Sequence, residues 1–95
     1  MSESGKVAGS LRRKLEAAFG PAELIIVDES ARHAGHSGAR AGGESHFRVR
    51  IVSREFSGMS RVERQRRVFQ AVAEEITGGL HALTITALTP EEARQ

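Results

Sequence analysis

Residues 46–53 read His46-Phe47-Arg48-Val49-Arg50-Ile51-Val52-Ser53. Phe47, Val49 and Ile51 alternate with Arg48 and Arg50. Successive side chains of a strand point to opposite faces, so this segment predicts a strand with one buried face and one wet, cationic face. Downstream, Ser60-Arg61-Val62-Glu63 has the form of a capping box and opens a helix that runs to about Thr77 and stops at Gly78-Gly79. On a helical wheel Val62, Phe69, Val72, Ala73 and Ile76 share an arc, with Gln65 near its middle and Arg64 and Arg67 on the solvent side. Leu80 to Ala87 (LHALTITA) then predicts a second strand, with Leu83, Ile85 and Ala87 on one face, Thr84 and Thr86 on the other, and His81 on the apolar side. Two strands joined through a helix can be parallel with a right-handed crossover.

Upstream, Glu23 to Asp28 (ELIIVD) predicts another strand, separated from residue 46 by the aperiodic, glycine-bearing stretch 30–45. Two strands flanking one loop most simply pair antiparallel. Ser10 is a good N-cap for a helix starting at Leu11, whose apolar stripe is Leu11, Leu15, Ala18 and Phe19 and whose end is set by Gly20 and Pro21. Thr89-Pro90-Glu91-Glu92 opens a short last helix with proline at its first position. The order α-β-β-α-β-α predicts an α+β fold, a three-stranded mixed sheet with helices packed on one face. Residues 1–9 are expected to be a flexible tail and residues 10–95 one domain.

Composition narrows the function. At 95 residues the chain holds one modest core; apolar residues make up 39% and charged residues 27%. There is no cysteine, which excludes disulfides, thiolate nucleophiles and a metal site built from this chain's own sulfur. Tryptophan and tyrosine are absent and phenylalanine occurs four times, so a reader that stacks bases on aromatic rings is poorly supplied. No apolar run approaches the ~20 residues of a spanning helix, and residues 1–10 carry no secretory signal. A cytoplasmic protein with no membrane partner is expected. Charge is unevenly spread: residues 48–67 hold seven arginines against Glu55 and Glu63, while residues 68–95 hold Arg94 against Glu74, Glu75, Glu91 and Glu92. The basic block can attract phosphates or an acidic partner, or can simply be a solvated face.

The four histidines, His33, His36, His46 and His81, are the groups suited to metal or acid–base chemistry near neutral pH. Taken singly, each is more simply a structural residue. As a set, they form a ligand site if loop 30–45 folds toward the start of the last strand. Enzyme signatures are missing: there is no GxxxxGK or GxGxxG, the serines have no triad context, and Asp28 and Glu29 are neighbours in a strand and face apart. The chain is not expected to be an enzyme.

The segments Ser30 to His33, Glu44 to Phe47, Ile51 to Gly58, Arg61 to Val68, and His81-Ala82-Leu83 with Thr89-Pro90-Glu91 together resemble the BolA family, over about residues 8–92. The family usually has Arg-His-Arg where this chain has Arg64-Gln65-Arg66. The resemblance implies a fold similar to class II KH domains without the GXXG loop. It implies pairing with a monothiol glutaredoxin around a bridging [2Fe–2S] cluster, with the partner and glutathione supplying all the sulfur. It also implies His81 as one ligand and His33 as the second, with His36 as competitor; His46 is not expected to ligate. A second reading, also suggested by the family, is a DNA-binding transcriptional regulator that contacts phosphates through Arg48, Arg50, Arg61, Arg64, Arg66 and Arg67. A weak homodimer is compatible with either.

Overall fold

The computed structural model describes residues 6–29, 46–78 and 82–95. Its elements are α1 (Lys6–Phe19), β1 (Glu23–Asp28), β2 (His46–Val52), a 3-10 turn (Arg54–Phe56), α2 (Arg61–Ala71), α3 (Ala73–Thr77), β3 (Ala82–Leu88) and α4 (Pro90–Ala93). The sheet has the order β1-β2-β3. β1 and β2 pair antiparallel, with Glu23 opposite Val52 and Asp28 opposite Phe47. β2 and β3 pair parallel, with His46 opposite Ala82 and Val52 opposite Leu88. The expected α+β fold is therefore the one adopted.

The core follows from the alternation that predicted β2. Phe47, Val49 and Ile51 are buried with Ile26 and Ile85 beneath Leu11, Leu15 and Phe19 of α1 and Val68 and Val72. Burying a side chain of this size stabilises by about 1.5–3 kcal/mol, which sets the inward face of each strand. Ile25 and Val27 stay partly exposed on the opposite face of the sheet.

α1 begins earlier than expected. Ser10 is not its N-cap; the helix already runs from Lys6, and Ala8 is buried. Ala8, Leu11, Leu15 and Phe19 lie three or four residues apart, so the core stripe simply continues one turn toward the amino terminus. The tail expected over residues 1–9 loses residues 6–9 to this helix. Ala18, expected on the stripe, is exposed. Gly20 has φ +49° and donates its N–H to the carbonyl of Glu16 at 3.0 Å, a left-handed helix end that glycine adopts without steric cost.

The connector after β2 is more structural than its sequence suggests. Phe56 is fully buried and its ring lies 4.9 Å from that of Phe19. The hydroxyl of buried Ser53 donates to the carbonyl of Phe19 at 2.8 Å and accepts from the N–H of Glu55 at 3.0 Å. One side chain thus ties the end of β2 to the end of α1 and caps the 3-10 turn.

The capping box at Ser60 and Glu63 forms as expected, with the Ser60 N–H donating to Glu63 at 2.7 Å and the Glu63 N–H to the Ser60 hydroxyl at 3.2 Å. The helix it opens does not run unbroken to Thr77. Val72 leaves helical geometry at φ −116°, ψ 25°, and α3 restarts behind it. The break leaves Glu75 accepting from the Ser10 hydroxyl and Lys14, which also holds Glu74.

The inward face of α2 also differs from the expectation. Arg64, Val68 and Val72 are buried, while Val62 and Phe69 are exposed; Arg67 is exposed as expected. The reason lies in the sheet. β3 is an edge strand, and its outer carbonyls need donors. Gln65 donates its Nε2 to the carbonyl of Ile85 at 3.0 Å, and Arg64 donates its Nη1 to that of Ala87 at 3.0 Å. Satisfying the edge turns polar side chains inward and leaves two large apolar ones outside.

Candidate functional site

The loop and strand register converge on one end of the sheet. β1 ends at Asp28, where it faces Phe47, and the next N–H, that of Glu29, donates to the carbonyl of His46 at 2.8 Å. His46 in turn sits opposite Ala82, the first residue of β3. The stretch 30–45, which carries His33 and His36, therefore departs and returns at the end of the sheet where β3 begins. His33, His36 and His81 themselves lie outside the described residues. His46 is half-buried at this end. Among the described residues no three His, Cys, Asp or Glu side chains come together as a metal site.

The basic block separates into two groups. Arg48 pairs with Glu29 at 3.0 Å and Arg50 with Glu23 at 3.3 Å, so both strand arginines are held across the outer face of the β1–β2 pair. Arg64, expected in solvent, is the most committed of the set. Its Nε donates to the carbonyl of Met59 at 3.0 Å, and its two terminal nitrogens grip the Glu92 carboxylate at 2.6 and 3.2 Å. Arg61, Arg66 and Arg67 are exposed, and Arg66 is near enough to Glu63 to act on its carboxyl.

The Arg64–Glu92 pair closes a cleft of about 650 Å³ between α2, the edge of β3 and α4. Arg61, Arg64, Gln65, Ile85, Thr86 and Glu92 line it. The guanidinium beside Glu92, helped by the Thr89 N–H, pushes that carboxyl down to about 2 from its ordinary 4.5. Glu92 also completes the capping box of α4 by accepting from Thr89 at 2.8 Å. The capping role is visible in Thr89-Pro90-Glu91-Glu92. The pairing with Arg64 is not, because 28 residues separate the partners.

Comparison with known proteins fits this architecture. The family model described as BolA-like protein matches residues 15–92. The chain belongs to the BolA-like family. This BolA-like chain is 45% identical over 97 residues to Protein BOLA1, chloroplastic, of Arabidopsis thaliana, covering 97% of this chain and 61% of that protein. Among solved structures, the BolA domain of SufE1 from Arabidopsis thaliana superposes with a TM-score of 0.82 at 44% identity, covering 93% of this chain and 96% of that one. The solution structure of BolA1 from Mus musculus gives 0.80 at 43% identity, covering 96% of this chain and 71% of that one. The chain spans about three-fifths of the length of the first curated relatives it matches. The BolA-like resemblance read from the segments between residues 8 and 92 is thus correct, and the mixed sheet with its helices is the family's fold. No helix among the described residues is long and apolar enough to cross a membrane, and the relatives include a chloroplastic protein.

Proposed function

We propose that this BolA-like chain is a non-enzymatic partner of a monothiol glutaredoxin, sharing with it a bridging [2Fe–2S] cluster for iron–sulfur trafficking or iron and redox regulation. The observation that carries the reading is the convergence of Glu29, His46 and Ala82 at one end of the sheet. The described residues that flank both histidine-bearing segments, Glu29 and His46 on one side and Ala82 on the other, lie at that end, which supports the reading. The donor set fits as well: four histidines and no cysteine can supply nitrogen to an iron whose sulfur comes from elsewhere. His81 would hold one position and His33 the other, with His36 as the alternative loop ligand. When bound, the cluster supplies one-electron chemistry at a potential that histidine ligation raises. The chain's own part is to present neutral imidazoles and to leave the thiolates to glutaredoxin and glutathione.

The DNA-binding reading draws less support. Arg48, Arg50 and Arg64 are each engaged with a carboxylate, so half of the expected phosphate contacts are already occupied. Arg61, Arg66 and Arg67 remain for it, and Arg66 lies near the Glu63 carboxylate.

The test is anaerobic reconstitution with a monothiol glutaredoxin and glutathione, followed by visible absorption and circular dichroism. The proposal expects a spectrum distinct from that of glutaredoxin alone at a one-to-one protein ratio. A spectrum identical to that of glutaredoxin alone would overturn it.

A further inference from the structure

The cleft between α2, the edge of β3 and α4 has no part in the proposed cluster chemistry, and its donors are not all used. The N–H of Ser53 donates to the carbonyl of Leu88 at 2.9 Å, so Leu88 turns its backbone toward β2. The N–H and C=O of one strand residue point to the same side, and the side alternates along the strand. Thr84 and Thr86 therefore also face β2. Ile85 and Ala87 face outward, in keeping with the bonds their carbonyls accept from Gln65 and Arg64. Those bonds satisfy the two outward carbonyls. The two outward N–H groups have no acceptor among the described residues. Ile85 is only 8% exposed, and a buried N–H without an acceptor is rare. Both residues line the cleft. Arg61 lines it too, and its guanidinium makes no hydrogen bond or ion pair with any described residue. Glu92, the acidic side chain of the lining, is already engaged by Arg64 and the Thr89 N–H.

We infer that this cleft binds a short aliphatic dicarboxylate. The groups left over in it are two N–H donors and a cation, which call for a ligand that accepts hydrogen bonds and carries negative charge. An added β-strand fits less well, because the outward carbonyls that its own N–H groups would need are taken. Two residues of strand set the free N–H groups about 6.7 Å apart. A single phosphate or acetate reaches one of them at a time, whereas two carboxylates joined by roughly three methylenes reach both. α2 runs back along β3, with Arg64 at Ala87 and Gln65 at Ile85. Arg61, three residues before Arg64 and on the same side of the helix, therefore stands at the Ala87 end. One carboxylate takes the Ala87 N–H and Arg61, and the other takes the Ile85 N–H. The volume of about 650 Å³ is that of a small-molecule site. Arg61 is exposed and the Glu92 carboxylate is close, so the binding is weak.

The experiment titrates glutarate into the full chain at fixed ionic strength and follows the amide NMR spectrum, with no partner protein present. Failure here therefore leaves the cluster reading untouched. The expected result is saturable shifts, largest at the Ile85 and Ala87 amides. Acetate and inorganic phosphate at the same concentration should move these amides far less. Arg61→Gln should weaken binding about fivefold, and Arg67→Gln, outside the cleft, should change it by less than about twofold. Both positions are exposed, and native dispersion of the amide spectrum would show that the variants fold. Ile85 and Ala87 amides that stay in place, an equal response to acetate or phosphate, or an Arg61→Gln variant that binds as tightly as the native chain would each overturn the inference. So would a single-stranded oligonucleotide that shifts the same amides where glutarate does not.

Discussion

Arg64 shows how far a single residue's role depends on its surroundings. Its spacing places it beside Arg66 and Arg67 in a run of apparent surface charge, yet its side chain is only 10% exposed and meets two backbone carbonyls and one carboxylate. Replacing it with methionine leaves the Ala87 and Met59 carbonyls without these donors. Arg64→Met should cost about 2 kcal/mol, read as a lower urea midpoint, whereas Arg67→Ala should stay within about 0.5 kcal/mol. Its partner makes a pH prediction. The folded Glu92 carboxyl titrates near 2, below its ordinary 4.5, so the unfolded chain binds the proton more readily. The pair's contribution is therefore complete above about pH 4.5 and lost as pH falls toward 2. The stability gap between the native chain and Glu92→Gln should be constant near neutral pH and shrink across that window. A gap independent of pH would refute the pairing.

Among the elements, α1 and α2 were the least legible, for different reasons. Ser10 is a good N-cap by type, but helix ends are set by how long the core stripe continues, and Ala8 extends it by a turn. Ala8→Asp would place a carboxylate in the core; we expect a loss of about 2–3 kcal/mol by chemical denaturation, where a residue in a disordered tail would show no change. In α2 the apolar periodicity placed the inward face too far round the helix: Val72, Ile76 and Gln65 face inward as expected, but Val62, Phe69 and Ala73 do not, because periodicity says where hydrophobic residues lie and not what the neighbouring element needs. The edge of β3 needs hydrogen-bond donors, and Arg64 and Gln65 provide them. By contrast β1 matches its expected bounds, β2 ends one residue before its expected end and β3 one residue beyond, the expected first two residues of β3 lying outside the described residues; the alternation in β2 and β3 marks a strand buried on one face. The two capping boxes, at Ser60 and Thr89, were also readable, since both partners lie within one turn.

At the scale of the whole molecule, the proposed function rests on topology. An antiparallel hairpin and a parallel crossover share β2, so the hairpin loop and the start of β3 emerge at the same end. If that end is the shared cluster site, His81→Ala should abolish or greatly weaken the visible spectrum of the reconstituted complex without lowering the melting temperature of the chain. His46→Ala, within the strand register, should retain the spectrum. An unchanged spectrum in the His81 variant would remove it from the ligand set.

The sequence alone determined the fold class, the strand bounds, the family and the donor chemistry, since all of these rest on local patterns or on residue types present and absent. The zero cysteine count is the plainest case: it bounds what this chain can bring to a metal whatever its fold. Only the tertiary structure decided which arginines are occupied, which face of α2 is buried, and that Glu29, His46 and Ala82 share one end of the sheet. Those outcomes depend on partners 19 to 28 residues apart, brought together by sheet register and core packing. Long-range pairing of this kind is a property of the packed chain, and no periodicity along the sequence encodes it.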